Sequence, residues 1–276
     1  MSRYKVFLAT LAIAFTGSAA ADQDFLAKYL ANAGVLIVHG ETKIVFDPLF
    51  DEDFGTFELV PEDIEQALFA GAPPFDGLDA VFVSHHHDDH FSPESMLELL
   101  FAHPDLQLFA PPQAIDGMPA EKEAVADRLH AVDLGLADTF TQTIGGIEVS
   151  AVRIPHSGWP DRHENVENIA FRVSLDEAAT VVHMGDAHTD PAFYDTQAEY
   201  WAERATHLAL PPYWFFLSER GSKVLDDHIR AGATIGVHVP AQVPDSPSKY
   251  PPELKGRTLF SVPGEEKRIP LPGEAE

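Results

Sequence analysis

Residues 81–90 read VFVSHHHDDH, three apolar residues and a serine followed by four histidines and two aspartates in six positions. The apolar run 80–83 has the composition of a buried strand. SPES at 92–95 has that of a helix start, with serine as N-cap and proline in the first turn. Residues 84–91 are then a loop at the carboxyl end of a strand. Such a loop can turn several side chains to one side, which the strict alternation of a strand cannot. In the order H-x-H-x-D-H, His85 and His87 can hold one metal ion while Asp89 and His90 reach a second. His86 and Asp88 fill the x positions and point away. The cluster by itself is equally a solvated loop or a metal-scavenging tract, and a catalytic site needs further ligands at other strand ends.

Those ligands are in the chain. Residues 149–154 run as a strand into His156, residues 180–184 into Gly185 and Asp186, and residues 234–237 into His238. One ligand-type residue at a strand end is commonplace. Three of them, in addition to the cluster, favour a built site over a sticky loop. Imidazole and carboxylate accept zinc, iron and manganese alike.

The pattern around the cluster gives the architecture. Residues 35–38 and 43–46 flank HGET at 39–42 as a hairpin, and Asp47-Pro48 stops the second strand. A helix is expected over 61–70, a strand over 106–110 and a helix over 119–129. Strands follow over 139–144, 147–154, 169–174 and 180–183. Beyond these the chain alternates: helix 190–204, strand 208–210, helix 218–231, strand 234–238. The Pro-rich tail from Val239 reads as an ordered wrap that frays at its end. Two β-rich blocks, each joined to helices, give an α/β fold of two sheets face to face with helices outside, a four-layer αββα sandwich. Residues 22–276 read as one domain.

Composition restricts partners. The 276 residues carry a formal charge of −26, with 18 basic against 44 acidic residues. That disfavours nucleic acid, whose affinity comes mostly from Lys and Arg on phosphates, and anionic membrane surfaces. The bland meaning of the charge is solubility. Residues 1–21 have a basic start, the apolar run 6–17 and small residues SAAA at 18–21, the pattern of a secretory signal. The run is shorter than the ~20 residues a bilayer requires. Cleavage near Ala20 or Ala21 removes Arg3 and Lys5, so 16 basic residues remain against 44 acidic ones, a charge of −28. A periplasmic or secreted protein acting on a small molecule is the expectation, with a retained N-terminal anchor as the alternative. There is no cysteine, so any metal site is built from His and carboxylate.

An early Asp47, His85 to His90 as HHHDDH, His156, Gly185-Asp186 and a final His238, in that order, resemble the metallo-β-lactamase-fold hydrolase superfamily over nearly the whole chain after residue 21. NAGVLI at 32–37 ahead of FDPL at 46–49 is most similar to the branch containing ascorbate-6-phosphate lactonase and an N-acyl-phosphatidylethanolamine phospholipase. The resemblance implies that His85, His87 and His156 hold a first ion. Asp89, His90 and His238 would hold a second, with Asp186 bridging. It implies further that Asp47 orients a ligand histidine through its ring N–H; the plain alternative is a turn residue before Pro48. Two divalent ions, zinc first and manganese or iron next, about 3.5–4 Å apart would generate a bridging hydroxide for cleavage of an ester, lactone, amide or phosphodiester. Asp89 and Asp186 are the catalytic candidates, Asp89 orienting the nucleophile and carrying its proton.

Departures from the family narrow the chemistry. Without cysteine the chain cannot place a thiolate on the second ion, and a bridging Asp186 is unlike the dizinc β-lactamases, so antibiotic hydrolysis is not the first choice. Two other classes stay open: a single-iron oxygenase acting on persulfides, and a non-catalytic metal-binding protein with a closed cage. Around the site, His163 and Glu164 lie in the polar loop 157–167 that could cover it. His188, two residues past Asp186, supports a ligand residue, faces substrate or lies at the surface. PPYWFF at 211–216 is core packing or a pocket wall, with Tyr213 and Trp214 as the wall candidates.

Overall fold

In the computed structural model, which describes residues 24–243 and 245–271, the chain forms two seven-stranded sheets. The signal-like segment 1–21 lies outside the described residues. β1 (Phe25–Ala31), β2 (Gly34–His39) and β3 (Thr42–Phe46) form an antiparallel meander. The expected hairpin is there, with Val35 opposite Phe46 and His39 opposite Thr42. β4 (Ala80–Phe82), β5 (Gln107–Ala110) and β6 (Leu129–Ala131) continue this sheet in parallel.

The second sheet begins with antiparallel β7 (Thr139–Ile144), β8 (Ile147–Arg153), β9 (Ile169–Leu175) and β10 (Ala179–His183). It ends with β11 (Leu208–Leu210), β12 (Ala233–Gly236) and β13 (Thr258–Leu259), all parallel to β10. The tail then returns as β14 (Glu266–Arg268) to pair with β1. The expected wrap therefore contributes a strand to each sheet.

Parity along the strands builds the layers. Val35 and Ile37 of β2 face the inter-sheet core with Phe82, Phe109, Val149 and Phe171, while Leu36 faces outward with Val45, Val81 and Leu108. That outer side packs on α1 (Glu62–Ala70) and α2 (Pro93–Ala102) through Leu68, Met96 and Leu100. On the second sheet, Val152, Ala170, Val182 and Ala209 face outward against Tyr194, Trp201, Phe215 and Val224. These are the four layers expected. β9 and β10 are buried along their whole length, with Arg172, Ser174, Thr180 and His183 among their buried residues. β7, at the sheet edge, keeps polar residues on its outer side.

The helices depart most from expectation. Residues 120–128 form a 3₁₀ segment broken at Val125, not an α-helix. The expected helix 190–204 is two short pieces, Ala192–Asp195 and Ala198–Glu203. Gln197 stands between them and donates its side-chain amide to Leu136 O at 2.9 Å, a tertiary bond that replaces helix continuation. The expected helix 218–231 starts on Ser218, whose Oγ caps Gly221 N–H, but widens to a π-turn over Leu225–Ile229 and stops at left-handed Arg230. Ser92 precedes α2 as expected, yet its hydroxyl bonds Asp51 and Ser95 and does not cap the backbone.

Candidate metal centre

β8, β10 and β12 run in the same direction, so the residues after them emerge at one edge of the second sheet. Parallel β3 and β4 deliver Asp47 and the His cluster from the first sheet. The two edges meet where His238 N–H donates to Asn32 O at 2.7 Å. Loop 84–91 is wound into one tight turn, with His90 and Phe91 N–H both bonded to His87 O. This coil brings His85, His87, Asp89 and His90 inward together. Asp186 is set by Gly185 in a left-handed conformation (φ 53°) and by its own N–H donating to Asn168 Oδ1 at 2.8 Å. A side chain at 185 would place a Cβ 2.6 Å from Ser84 Cβ, so this position requires glycine.

Three overlapping groups result, each with its ligand-type atoms within 4.8 Å of one another: His85, His87 and His156; His85, His90 and Asp186; Asp89, His90 and His238. Asp186 joins them. Its Oδ1 is 3.2 Å from His90 Nε2 and 3.3 Å from His238 Nε2, and its Oδ2 is 3.3 Å from His156 Nε2. Asp89 Oδ2 is 3.2 Å from His238 Nε2. Despite this closeness, among the described residues His90 Nε2, His156 Nε2, His238 Nε2 and Asp186 Oδ1 are buried without an aligned hydrogen-bond partner. Each such orphan costs about 1–3 kcal/mol. Ligands at about 2.0–2.1 Å from a tetrahedral cation stand about 3.3–3.4 Å apart. The spacing and the orphaned atoms fit divalent cations with nitrogen and oxygen ligands.

The opposite edges of the rings are fixed. Ser84 N–H and Oγ donate to the two oxygens of buried Asp47 at 2.7 and 2.6 Å. His90 Nδ1 donates to Asp47 Oδ2 at 2.9 Å, and with the serine proton committed, His85 Nδ1 donates to Ser84 Oγ at 3.0 Å. His156 Nδ1 donates to Ser157 O at 2.7 Å. In all three rings Nε2 is left to face the cluster.

Charge in the cluster is strongly coupled. Burial and the neighbouring His90 push His85 well below its ordinary value. Burial and His156 bring His87 down to about 4, so both are neutral, the form that binds metal. Burial opposes ionisation of Asp186, but His238 and His90 outweigh it and hold the carboxylate well below its usual range. Burial likewise opposes protonation of His90, and Asp186 with Asp47 overcomes it and raises His90.

The remaining sequence candidates fall in distinct places. His86 and Asp88 stand outside all three groups. Asp88 instead receives Asp51 and Glu52 N–H on its carbonyl. Trp214 lies against His238 (ring centroids 5.2 Å apart), with Phe57 on another side at 4.2 Å. Tyr213 is one ring further out, 5.8 Å from Trp214, and lines an apolar groove of about 600 Å³ with Leu217, Pro240 and Leu254. His188 is engaged in its own loop, where Nδ1 accepts Asp190 N–H and the ring meets Phe193. His163 packs on His156 and His87 at 4.4 and 5.0 Å.

Four supporting residues escaped the sequence reading of the site: Ser84, Asn32, Asn168 and His183. Asn168 ties Ile154 O and Met184 O together beneath Asp186. His183 stacks on Phe46 and donates Nε2–H to Ala33 O at 2.9 Å. A polar residue inside an apolar strand run was the available signal for His183, and an asparagine in a tight turn was the signal for Asn32.

Two sheets flanked by helices, with a His/Asp cluster at their shared edge, define a metallo-hydrolase type of fold. Residues 42–210 match the family model described as a beta-lactamase superfamily domain, and the chain belongs to that family. Protein Rv0786c of Mycobacterium tuberculosis is 27% identical over 87% of this chain and 97% of its own length. Among solved structures, Igni18, a metallo hydrolase from the archaeon Ignicoccus hospitalis, superposes with a TM-score of 0.58 at 14% identity, over 89% of this chain and 98% of that one. CmlA, a diiron β-hydroxylase from Streptomyces venezuelae, does so at 0.53 and 14%, over 90% of this chain and 54% of that one. At such identities these likenesses are of fold.

Proposed function

We propose that this protein is a hydrolase dependent on two divalent cations, zinc above manganese or iron, that cleaves an ester, lactone, amide or phosphodiester bond in a small molecule. The observation that carries the reading is Asp186, whose Oδ1 faces His90 and His238 while its Oδ2 faces His156. A carboxylate shared between two cations requires that arrangement. His85, His87 and His156 would hold one cation, and Asp89, His90 and His238 the other. Bound there, divalent cations supply Lewis acidity and bring the acidity of water near neutrality.

The chain's own residues do the rest. Asp89 orients the attacking water and carries its proton to the leaving group. Burial opposes its ionisation, but the neighbouring His238 and His90 outweigh that and lower its pKa, so it remains an acceptor at neutral pH. Asp47 and Ser84 hold the His85 and His90 rings in register. Trp214 and Phe57 shield the His238 side from water. The overall charge of −26 disfavours polyanionic partners such as nucleic acid. Among the described residues no helix is long and apolar enough to cross a membrane. Export to the periplasm or beyond rests on the pattern of residues 1–21.

The diiron chemistry in CmlA's description belongs to that protein, but His and carboxylate accept iron too, so the test includes it. The protein is loaded with zinc, manganese or iron and offered chromogenic esters, lactones, an amide and phosphodiesters. Turnover that is lost in Asp186→Ala and retained in Glu177→Gln, at the distant β9–β10 turn, supports the reading. One iron per chain with oxygen consumed on a persulfide, or no turnover with any metal, overturns it.

A further inference from the structure

Asn32 sits in the turn between β1 and β2, fully buried and left-handed, with φ 47°. Its side chain and its main chain serve different masters. Nδ2 donates to Asp89 O at 2.7 Å, and the Asn32 carbonyl accepts His238 N–H at 2.7 Å. Asp89 belongs to the loop after β4 in the first sheet and His238 follows β12 in the second, so this one residue ties together two backbones from opposite sheets. The same two residues meet through their side chains, Asp89 Oδ2 to His238 Nε2 at 3.2 Å. His238 is itself left-handed, with φ 57°, and its N–H is directed at Asn32.

The position suits few residue types. Asparagine tolerates the left-handed region and carries an amide donor. Aspartate tolerates the conformation but cannot donate, and glycine has no side chain to reach Asp89. The other end of the cluster is held by different means: His85 through Ser84, and His156 through Ser157 O.

We propose that Asn32 is a positioning residue for the Asp89, His90 and His238 group alone, and that it decides whether the protein retains a second divalent cation. The inference rests on the two-cation reading above and adds to it a separate control of the two ions. Asn32 acts through the main chain of Asp89 and His238 and touches neither cation nor substrate. Loss of the amide donor would free the Asp89 carbonyl and loosen the pairing of Asp89 with His238, while His85, His87 and His156 keep their supports.

The test uses the full chain, stripped with a chelator and titrated with Zn²⁺ against a chromophoric competitor, then with Co²⁺ to read the ligand-field spectrum of each equivalent. Asn32→Gly keeps the backbone conformation and removes the donor; Asn32→Asp keeps the side-chain size and replaces the donor by an acceptor. Both variants are expected to bind the first equivalent as wild type does and to lose about 10- to 100-fold in affinity for the second. Only the second Co²⁺ spectrum should change. Wild-type affinity for both ions in both variants overturns the inference and leaves the two-cation reading intact. So does parallel weakening of both ions with a collapse of metal-free thermal unfolding, which marks a merely structural role. A wild-type protein that takes up fewer than two Zn²⁺ overturns the reading and the inference together.

Discussion

Asp47 and His90 are joined by a 2.9 Å hydrogen bond from His90 Nδ1 to Asp47 Oδ2, on the edge of the ring opposite Asp186. The bond fixes both the tautomer and the direction of His90. Asp47 is left-handed, at φ 39°, and fully buried, and it also receives Ser84 N–H and Oγ. One carboxylate thereby sets two rings, His90 directly and His85 through Ser84. Asp47→Asn keeps the size but offers one acceptor oxygen in place of two. Zinc affinity is expected to fall about 10- to 100-fold, measured by competition with a chelator. Unchanged affinity would reduce Asp47 to a turn residue before Pro48.

Gly185 is required by crowding. With φ 53° and Ser84 Cβ only 2.6 Å from an added Cβ, Gly185→Ala is expected to destabilise the fold by at least about 2 kcal/mol. Urea unfolding of the metal-free protein measures this. A change within about 0.5 kcal/mol would mean that the Asp186 turn accommodates the methyl by moving.

Metal removal should be visible in stability. At a cation concentration about 1,000-fold above its Kd, one site adds about 4 kcal/mol. For a chain of this size that raises the thermal midpoint by about 10 °C. Chelation should reverse the gain, and Asp186→Ala should show a smaller gain than wild type. Equal midpoints with and without zinc would contradict a metal held by the folded state.

A pH prediction concerns His207, which lies away from the cluster. Its Nδ1 accepts Thr180 N–H at 2.9 Å, and burial lowers its pKa from the ordinary value. The folded state therefore binds a proton less readily than the unfolded chain. The His207 contribution is fully present above the ordinary histidine value of about 6.5 and declines as pH falls below it. Measured as the stability difference between wild type and His207→Ala, the contribution should shrink from pH 7.5 to 5.5. A difference that is flat or grows with acidity would contradict this.

The fold was largely legible because period and punctuation agreed with it. The 35–38 and 43–46 hairpin and the strand at 80–82 appear where residue type and spacing put them, and His156, Asp186 and His238 each follow a strand end. Helices were legible at their starts and less so at their ends. Gln197 and left-handed Arg230 interrupt otherwise helical composition, one through a tertiary hydrogen bond and the other through backbone geometry. β13 and β14 are short and rich in charged or polar residues, and tertiary pairing defines them more than propensity does. At the cluster, histidine and aspartate declare themselves by type. Their supports do not, since Asn32 and Asn168 act through side-chain amides bonded to carbonyls 14 to 57 residues away, and Ser84 acts through its hydroxyl on Asp47 and the adjacent His85.

In the proposed site, Asp186 would stand between two cations. Anomalous diffraction at the zinc edge, from crystals of the zinc-loaded protein, tests it most directly. Two peaks about 3.5–4 Å apart are expected, one bounded by His85, His87 and His156, the other by Asp89, His90 and His238, with Asp186 touching both. A single peak, or two peaks with Asp186 ligating neither, would contradict it.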